Sequence, residues 1–213
     1  MARTKHKRLS KVKELSNVFS LQNADAKEAL QNYFNSNKLF TIEIGCGHCE
    51  YSIGLAQKFP SRNFIGVDVK GARIFDGALK AIDQNLSNVA FIIGKAEKLN
   101  DIFQPKSVEE IFIPFPDPHV RRASQNKRLI SLVLLSIYKD LLTDSGLIHF
   151  KTDNQGLYDY ALKIISDFGC EILYSTEHLY ENDGAEFSSN IFTNFEKYYI
   201  KEGRKIKYIC FKF

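Results

Sequence analysis

Lys38-Leu39-Phe40-Thr41-Ile42-Glu43-Ile44-Gly45-Cys46-Gly47 is the stretch that decides how this chain folds. Lys38–Ile44 is a short apolar-rich run suited to a buried strand. The two glycines that follow let the backbone turn sharply and approach a ligand closely. Tyr51–Phe59 then has helical spacing and stops at Pro60, and Asn63–Val67 is a second strand candidate that ends at Asp68. A strand, a glycine turn, a helix and a second strand in that order make a βαβ unit.

Outward from this unit the alternation continues. Gly71–Leu86 carries a helical stripe through Ile74, Ala78, Leu79 and Ile82. Val89–Ile93 reads as a strand, Ala96–Phe103 as a short helix and Glu110–Phe115 as a strand interrupted by Pro114. A helix is expected over Lys127–Leu142, a strand over Leu147–Lys151, a helix over Gly156–Phe168 and a strand over Cys170–Ser175. A loop from about Glu177 to Asn194 leads to a last strand, Lys205–Phe213, and Ala24–Phe34 forms a helix ahead of the first strand. This pattern predicts an α/β fold with a sheet of about seven strands and helices on both faces. The sheet is mostly parallel, and the last two strands, with no helix between them, pair antiparallel at one edge. Residues 1–20 read as a flexible basic arm and 21–213 as a single Rossmann-like domain.

The 213 residues are 44% hydrophobic and 25% charged, an ordinary globular composition that excludes collagen-like and wholly disordered classes. No apolar run is long enough to span a bilayer and no apolar segment follows the basic N-terminus, so neither a membrane nor a secretory signal is expected. Four cysteines are too few for a disulfide scaffold in a chain of this length, and a reduced, cytoplasmic protein is the expectation. The net charge of +4 hides a segregation. Residues 1–13, 119–128 and 197–213 hold 16 of the 29 basic residues and one of the 25 acidic ones. An acidic body with three basic segments points to a polyanion held at chosen places, and specifically to nucleic acid.

In open α/β sheets ligands bind beyond the carboxyl ends of strands. Glu43–Gly47, Asp68, Asp117 and Asp153 fall there, each after a different strand. Asp68 lies 21 residues beyond Gly47, where a carboxylate can accept hydrogen bonds from ribose hydroxyls. The glycine pattern does not continue as G-x-G-x-x-G, because Glu50 occupies the third position, where it would repel a pyrophosphate. The expected ligand is therefore a nucleoside without phosphates. Acids before the turn and at the next strand end resemble S-adenosylmethionine (SAM)-dependent methyltransferases, whose cofactor carries a positive sulfonium. Asp117 is stiffened by prolines on both sides and is followed by Arg121 and Arg122, which reads as base recognition beside phosphate contacts. Cys46 and Cys49 form C-x-x-C, but the other two cysteines lie in distant strands, so they line the turn and no metal is expected. His149 lies in a buried-strand pattern and reads as a hydrogen-bonded core residue.

From about Leu39 to the C-terminus the chain resembles the bacterial tRNA (guanine-N7-)-methyltransferases. Four markers carry the resemblance: the E-I-G-C-G turn, the F-x-D-P turn followed by basic residues and K-R-L, the segment His149–Asn154 (HFKTDN), and Thr193-Asn194-Phe195-Glu196. It implies methyl transfer from SAM to N7 of a variable-loop guanine in tRNA, by a monomer or homodimer. It implies cofactor contacts from Glu43, Gly45, Gly47, Asp68, Lys95, Ala96, Glu97 and Asp117, with Asp117 also catalytic. Substrate contacts would come from Arg121, Arg122, Asp153, Thr193, Asn194, Phe195 and Glu196. The chain departs from the family pattern at Cys49, at Lys95, and at Pro114 and His119, where the family has Gly, an acid, Asn and Trp. Two other functions are compatible with the residues: methyl transfer to another RNA base or a small molecule, and RNA binding with weak catalysis.

Overall fold

A computed structural model describes residues 2–36, 38–181 and 191–213. Eight strands form one sheet among the described residues: β1 (Val18–Ser20), β2 (Phe40–Ile44), β3 (Asn63–Asp68), β4 (Val89–Ile93), β5 (Val108–Pro114), β6 (Leu142–Thr152), β7 (Glu171–Thr176) and β8 (Lys207–Lys212). Their order is β1-β4-β3-β2-β5-β6-β8-β7. From β1 to β6 every pairing is parallel, and β8 runs antiparallel to both β6 and β7. The antiparallel strand therefore sits one place in from the edge, which β7 occupies.

The helices are α1 (Ala2–Lys11), α2 (Ala26–Phe34), α3 (Glu50–Lys58), α4 (Gly71–Asp83), α5 (Leu132–Leu141), α6 (Gln155–Phe168) and α7 (Asn194–Lys201). Successive side chains of a strand point to opposite faces, so each strand feeds two cores. Ile42, Ile44, Ile65 and Ile111 pack with Leu134, Leu135 and Tyr138 of α5 and Ala161 and Ile165 of α6. Phe64, Phe91 and Phe112 pack on the other face with Tyr51, Ile53 and Leu55 of α3 and Ile74, Ala78 and Ala81 of α4. With both faces covered, β2 to β4 read as near-continuous apolar runs.

Four elements differ from the sequence reading, each for a local reason. The sheet has one strand more than expected, because Val18–Ser20 pairs with β4 from within the stretch read as an arm. Val12 is fully buried in the α3–α4 core, so the packed body begins before residue 21. The helix expected from Lys127 starts only at Leu132, where extended Ser131 caps it by accepting the Leu134 amide at 3.4 Å. The end of the expected loop and the approach to the last strand instead form α7. Its start is a capped turn in which Thr193 Oγ1 accepts the Glu196 amide at 3.1 Å. Residues 182–190 of the expected 177–194 loop lie outside the described residues.

Candidate active site

The sheet order reverses between β2 and β5, and the residues singled out above collect at the carboxyl ends of the strands on either side. The turn after β2 is built on positive φ at Gly45 (+81°) and Gly47 (+51°). The Gly45 and Cys46 amides donate to the Val67 carbonyl at 2.7 and 3.0 Å, which folds the turn over β3. Asp68 then joins three segments. Its Oδ2 accepts the Gly47 amide at 3.0 Å, its Oδ1 accepts the Lys70 amide at 2.7 Å, and its carbonyl accepts the Gly94 amide at 3.1 Å. Gly94 leads into Lys95, buried Ala96 and exposed Glu97, so this segment starts at the strand end that Asp68 joins to the Gly47 turn, while Asp117 lies on a separate turn.

Glu43 lies beneath this turn on the α3 side of the sheet, almost wholly buried. Its Oε2 accepts the Ser52 amide at 2.9 Å and the Ser52 hydroxyl through a short contact. Burial pushes its carboxyl up to about 8 against the pull of both Ser52 donors, and the charges of Asp68 and Glu50 add to the rise. Such a group charges most readily when a cation arrives. Gly77 of α4 brings that helix hard against the turn: a Cβ there would lie 2.6 Å from the Cβ of Cys49. Cys46 and Cys49 are buried free thiols with sulfurs 3.9 Å apart, and burial raises both well away from the thiolate form.

Asp117 stands across the switch point in an exposed turn after β5. Phe115 (φ +51°) and His119 (φ +42°) bound this turn in the left-handed region. The Phe115 amide donates to the Lys151 carbonyl at 2.9 Å, which anchors the turn to the end of β6. Asp153 follows β6, and its Oδ2 accepts from Arg204 at 2.8 Å. Arg204 lies 4.7 Å from the Tyr199 ring, and that ring is 5.7 Å from Phe115 and 6.3 Å from Phe195. Burial and the carboxylates of Asp153 and Asp117 raise the Tyr199 hydroxyl. The two acids and the aromatic groups therefore share one surface.

α7 brings the last marker segment to the same place. Thr193 caps the helix, and Asn194 donates to Glu50 through its amide at 2.7 Å and through its side chain by a short contact. Glu50, which stands at the third position of the glycine pattern, thus holds α7. Phe195 is 59% exposed, whereas Glu196 is 0% exposed and faces Lys151 Nζ at 3.1 Å and the Tyr180 hydroxyl. Sequence reasoning passed over Tyr199 and took Lys151 only as part of the His149–Asn154 marker. The Thr-x-x-Glu capping signature was the available signal, since it predicts a helix whose aromatic residues line up at 195 and 199.

The basic segments divide between surface and interior. Arg121, Arg122, Lys197, Lys201 and Lys205 are exposed. Arg128 and Lys207 are buried, Arg8 pairs with Asp76 at 2.9 Å, and Lys212 pairs with Glu171 at 3.0 Å. His149 is a core residue as expected, stacked on Phe112 and bonded to the Tyr208 hydroxyl at 2.6 Å. Among the described residues no group of three or more His, Cys, Asp or Glu is placed to hold a metal, and no helix is long and apolar enough to cross a membrane.

Comparisons with known proteins bear on this site. An antibiotic-related methyltransferase superposes with a TM-score of 0.65 at 21% identity, covering 87% of this chain and 92% of its own. A SAM-dependent methyltransferase of Aquifex aeolicus superposes with a TM-score of 0.56 at 14% identity, covering 95% and 97%. Both likenesses are of fold. The methyltransferase family Methyltransf_4 matches residues 37–209. A tRNA (guanine-N(7)-)-methyltransferase of Cytophaga hutchinsonii is 37% identical over 100% of this chain and 99% of its own length. The chain belongs to this methyltransferase family and, within it, to the bacterial tRNA (guanine-N(7)-)-methyltransferases.

Proposed function

We propose that this chain transfers the methyl group of SAM to N7 of a guanine in the variable loop of tRNA. The observation that carries the reading is a pair of acidic turns at the carboxyl ends of the strands that flank β2, one organised around Asp68 after β3 and the other bearing Asp117 after β5. The first suits a cationic nucleoside. Gly45 lets the backbone come close, Asp68 supplies a ribose acceptor, and Glu43 offers a buried carboxyl whose charge a sulfonium or ammonium would stabilise. Lys95, Ala96 and Glu97 follow the strand beside Asp68 and would flank the adenine.

When bound, the cofactor supplies an electrophilic methyl on a positive sulfur. N7 of guanine has a lone pair and no proton, so the acceptor needs no general base. The N7–C bond forms as the C–S bond breaks, the bonding pair goes to sulfur, and the positive charge passes to the purine. The protein's part is alignment, an effect able to contribute about 7–11 kcal/mol. Asp117 and Asp153 would accept from the guanine N1–H and 2-amino groups, which orients the base and stabilises its developing charge. The base would have to leave its stack to reach them. Arg121, Arg122 and the exposed lysines of α7 would meet phosphates.

The test is methyl transfer from labelled SAM to unmodified tRNA, with the product mapped by the alkali-labile backbone at N7-methylguanine. Label at one variable-loop guanine supports the reading. Methyl at another atom, or none, overturns it.

A further inference from the structure

We propose that Arg128 is a positioning residue for Asp117 rather than a phosphate contact, an inference that rests on the role given to Asp117 above. Arg128 lies in a segment with four basic residues and no acid, where charge alone assigns it to RNA. It is only 7% exposed. Its Nε donates to the Pro118 carbonyl at 3.0 Å, one residue beyond Asp117, and its guanidinium lies 4.1 Å from the Tyr160 ring. A planar cation stacked on an aromatic ring and bonded to a carbonyl is fixed in direction, which a lysine cannot reproduce. The turn it holds has left-handed residues at both ends and prolines at 116 and 118, so local preference does not settle where Asp117 points. Phe115 ties one end of the turn to β6, and Arg128 ties the other.

The next residue extends the same device to the cofactor turn. Leu129 packs so closely on Gly45 that a Cβ there would lie 3.1 Å from Leu129 Cδ1, and the Leu129 carbonyl accepts the Tyr138 hydroxyl at 3.1 Å. Arg128 and Leu129 thus set the gap between the acid that holds the base and the turn that holds the cofactor. The K-R-L marker has a physical meaning here: one surface lysine, then two residues that fix a distance.

Arg128→Ala, Arg128→Lys, Tyr160→Phe and Tyr160→Leu, each checked for SAM affinity and melting temperature, test this. Single-turnover methyl transfer at saturating tRNA and SAM should fall about 10–100-fold in Arg128→Ala, only partly recover in Arg128→Lys, and stay at the wild-type rate in Tyr160→Phe. The salt dependence of tRNA binding should not change. Hydrogen exchange at the amides of residues 119–122 should accelerate in Arg128→Ala, a readout that holds whatever the substrate is. A wild-type rate at saturation, with weaker tRNA binding and a salt slope reduced by about one, would make Arg128 a phosphate contact and overturn the proposal. If Arg128→Ala does not fold, Tyr160→Leu carries the test, and a wild-type rate with unchanged exchange overturns it. A wild-type protein that methylates no tRNA overturns the function, while the exchange result still decides the brace.

Discussion

Lys151 and Glu196 meet at 3.1 Å inside the protein, with side chains 3% and 0% exposed. The pair joins the end of β6 to α7, and the Tyr180 hydroxyl closes on the same carboxylate. Burial lowers the Lys151 ammonium and Glu196 pulls it back up. Removing the carboxylate leaves a buried charge without its partner, which is strongly destabilising. Glu196→Ala is therefore expected to lose about 3–5 kcal/mol in urea unfolding. A stable variant that binds tRNA poorly would instead put Glu196 against RNA.

Glu50 and Asn194 make a second tie, from the start of the helix after the cofactor turn to the start of α7. It is exposed, so Glu50→Ala should cost no more than about 1.5 kcal/mol of stability. Its expected effect is on substrate: KM for tRNA rises about 3–10-fold, equivalent to about 0.7–1.4 kcal/mol, while SAM affinity holds. Steady-state kinetics with each substrate varied in turn measures both.

Glu43 gives a pH dependence of definite sign. Its carboxyl is raised from 4.5 to about 8 in the folded protein. Between those values the folded chain binds the extra proton and the unfolded chain does not, so this group makes stability fall as pH rises. Glu43→Gln removes the term, and its melting temperature should gain on wild type from pH 5 to pH 9. A cationic ligand beside Glu43 favours the charged form. SAM binding at pH 7 should then release close to one proton in wild type and none in Glu43→Gln, as read by calorimetry in buffers of different ionisation enthalpy.

The βαβ core was legible because its signals are local. Lys38–Gly47 carries strand, turn and ligand approach in ten residues, and Asp68 closes the unit. What charge counting misassigned was the fate of individual bases. Arg128 and Lys207 look identical to surface residues in sequence, and only tertiary placement shows their heads on the carbonyls of Pro118 and Asp153. β1 was hidden in the same way, because three residues between basic and polar neighbours carry no periodicity until β4 pairs with them. α7 was missed because aromatic residues have modest helix propensity, and its cap was read only as a marker.

Phe195, Tyr199 and Phe115 form an aromatic ledge beside Asp117 and Asp153. Such ledges stack unpaired bases, at about 1–3 kcal/mol per base. Tyr199→Leu should weaken tRNA binding within that range at fixed salt, and Tyr199→Phe should not. Equal loss in both would point to the hydroxyl and away from stacking.

Methyl transfer to guanine N7 requires that nitrogen and no other guanine atom. Two transcripts of one tRNA separate the possibilities, one of them made with 7-deazaguanosine triphosphate so that carbon replaces every guanine N7. Both should bind with similar affinity, and labelled methyl should appear only on the transcript that has N7. Label transferred at a comparable rate to the deaza transcript would put the methyl on another atom.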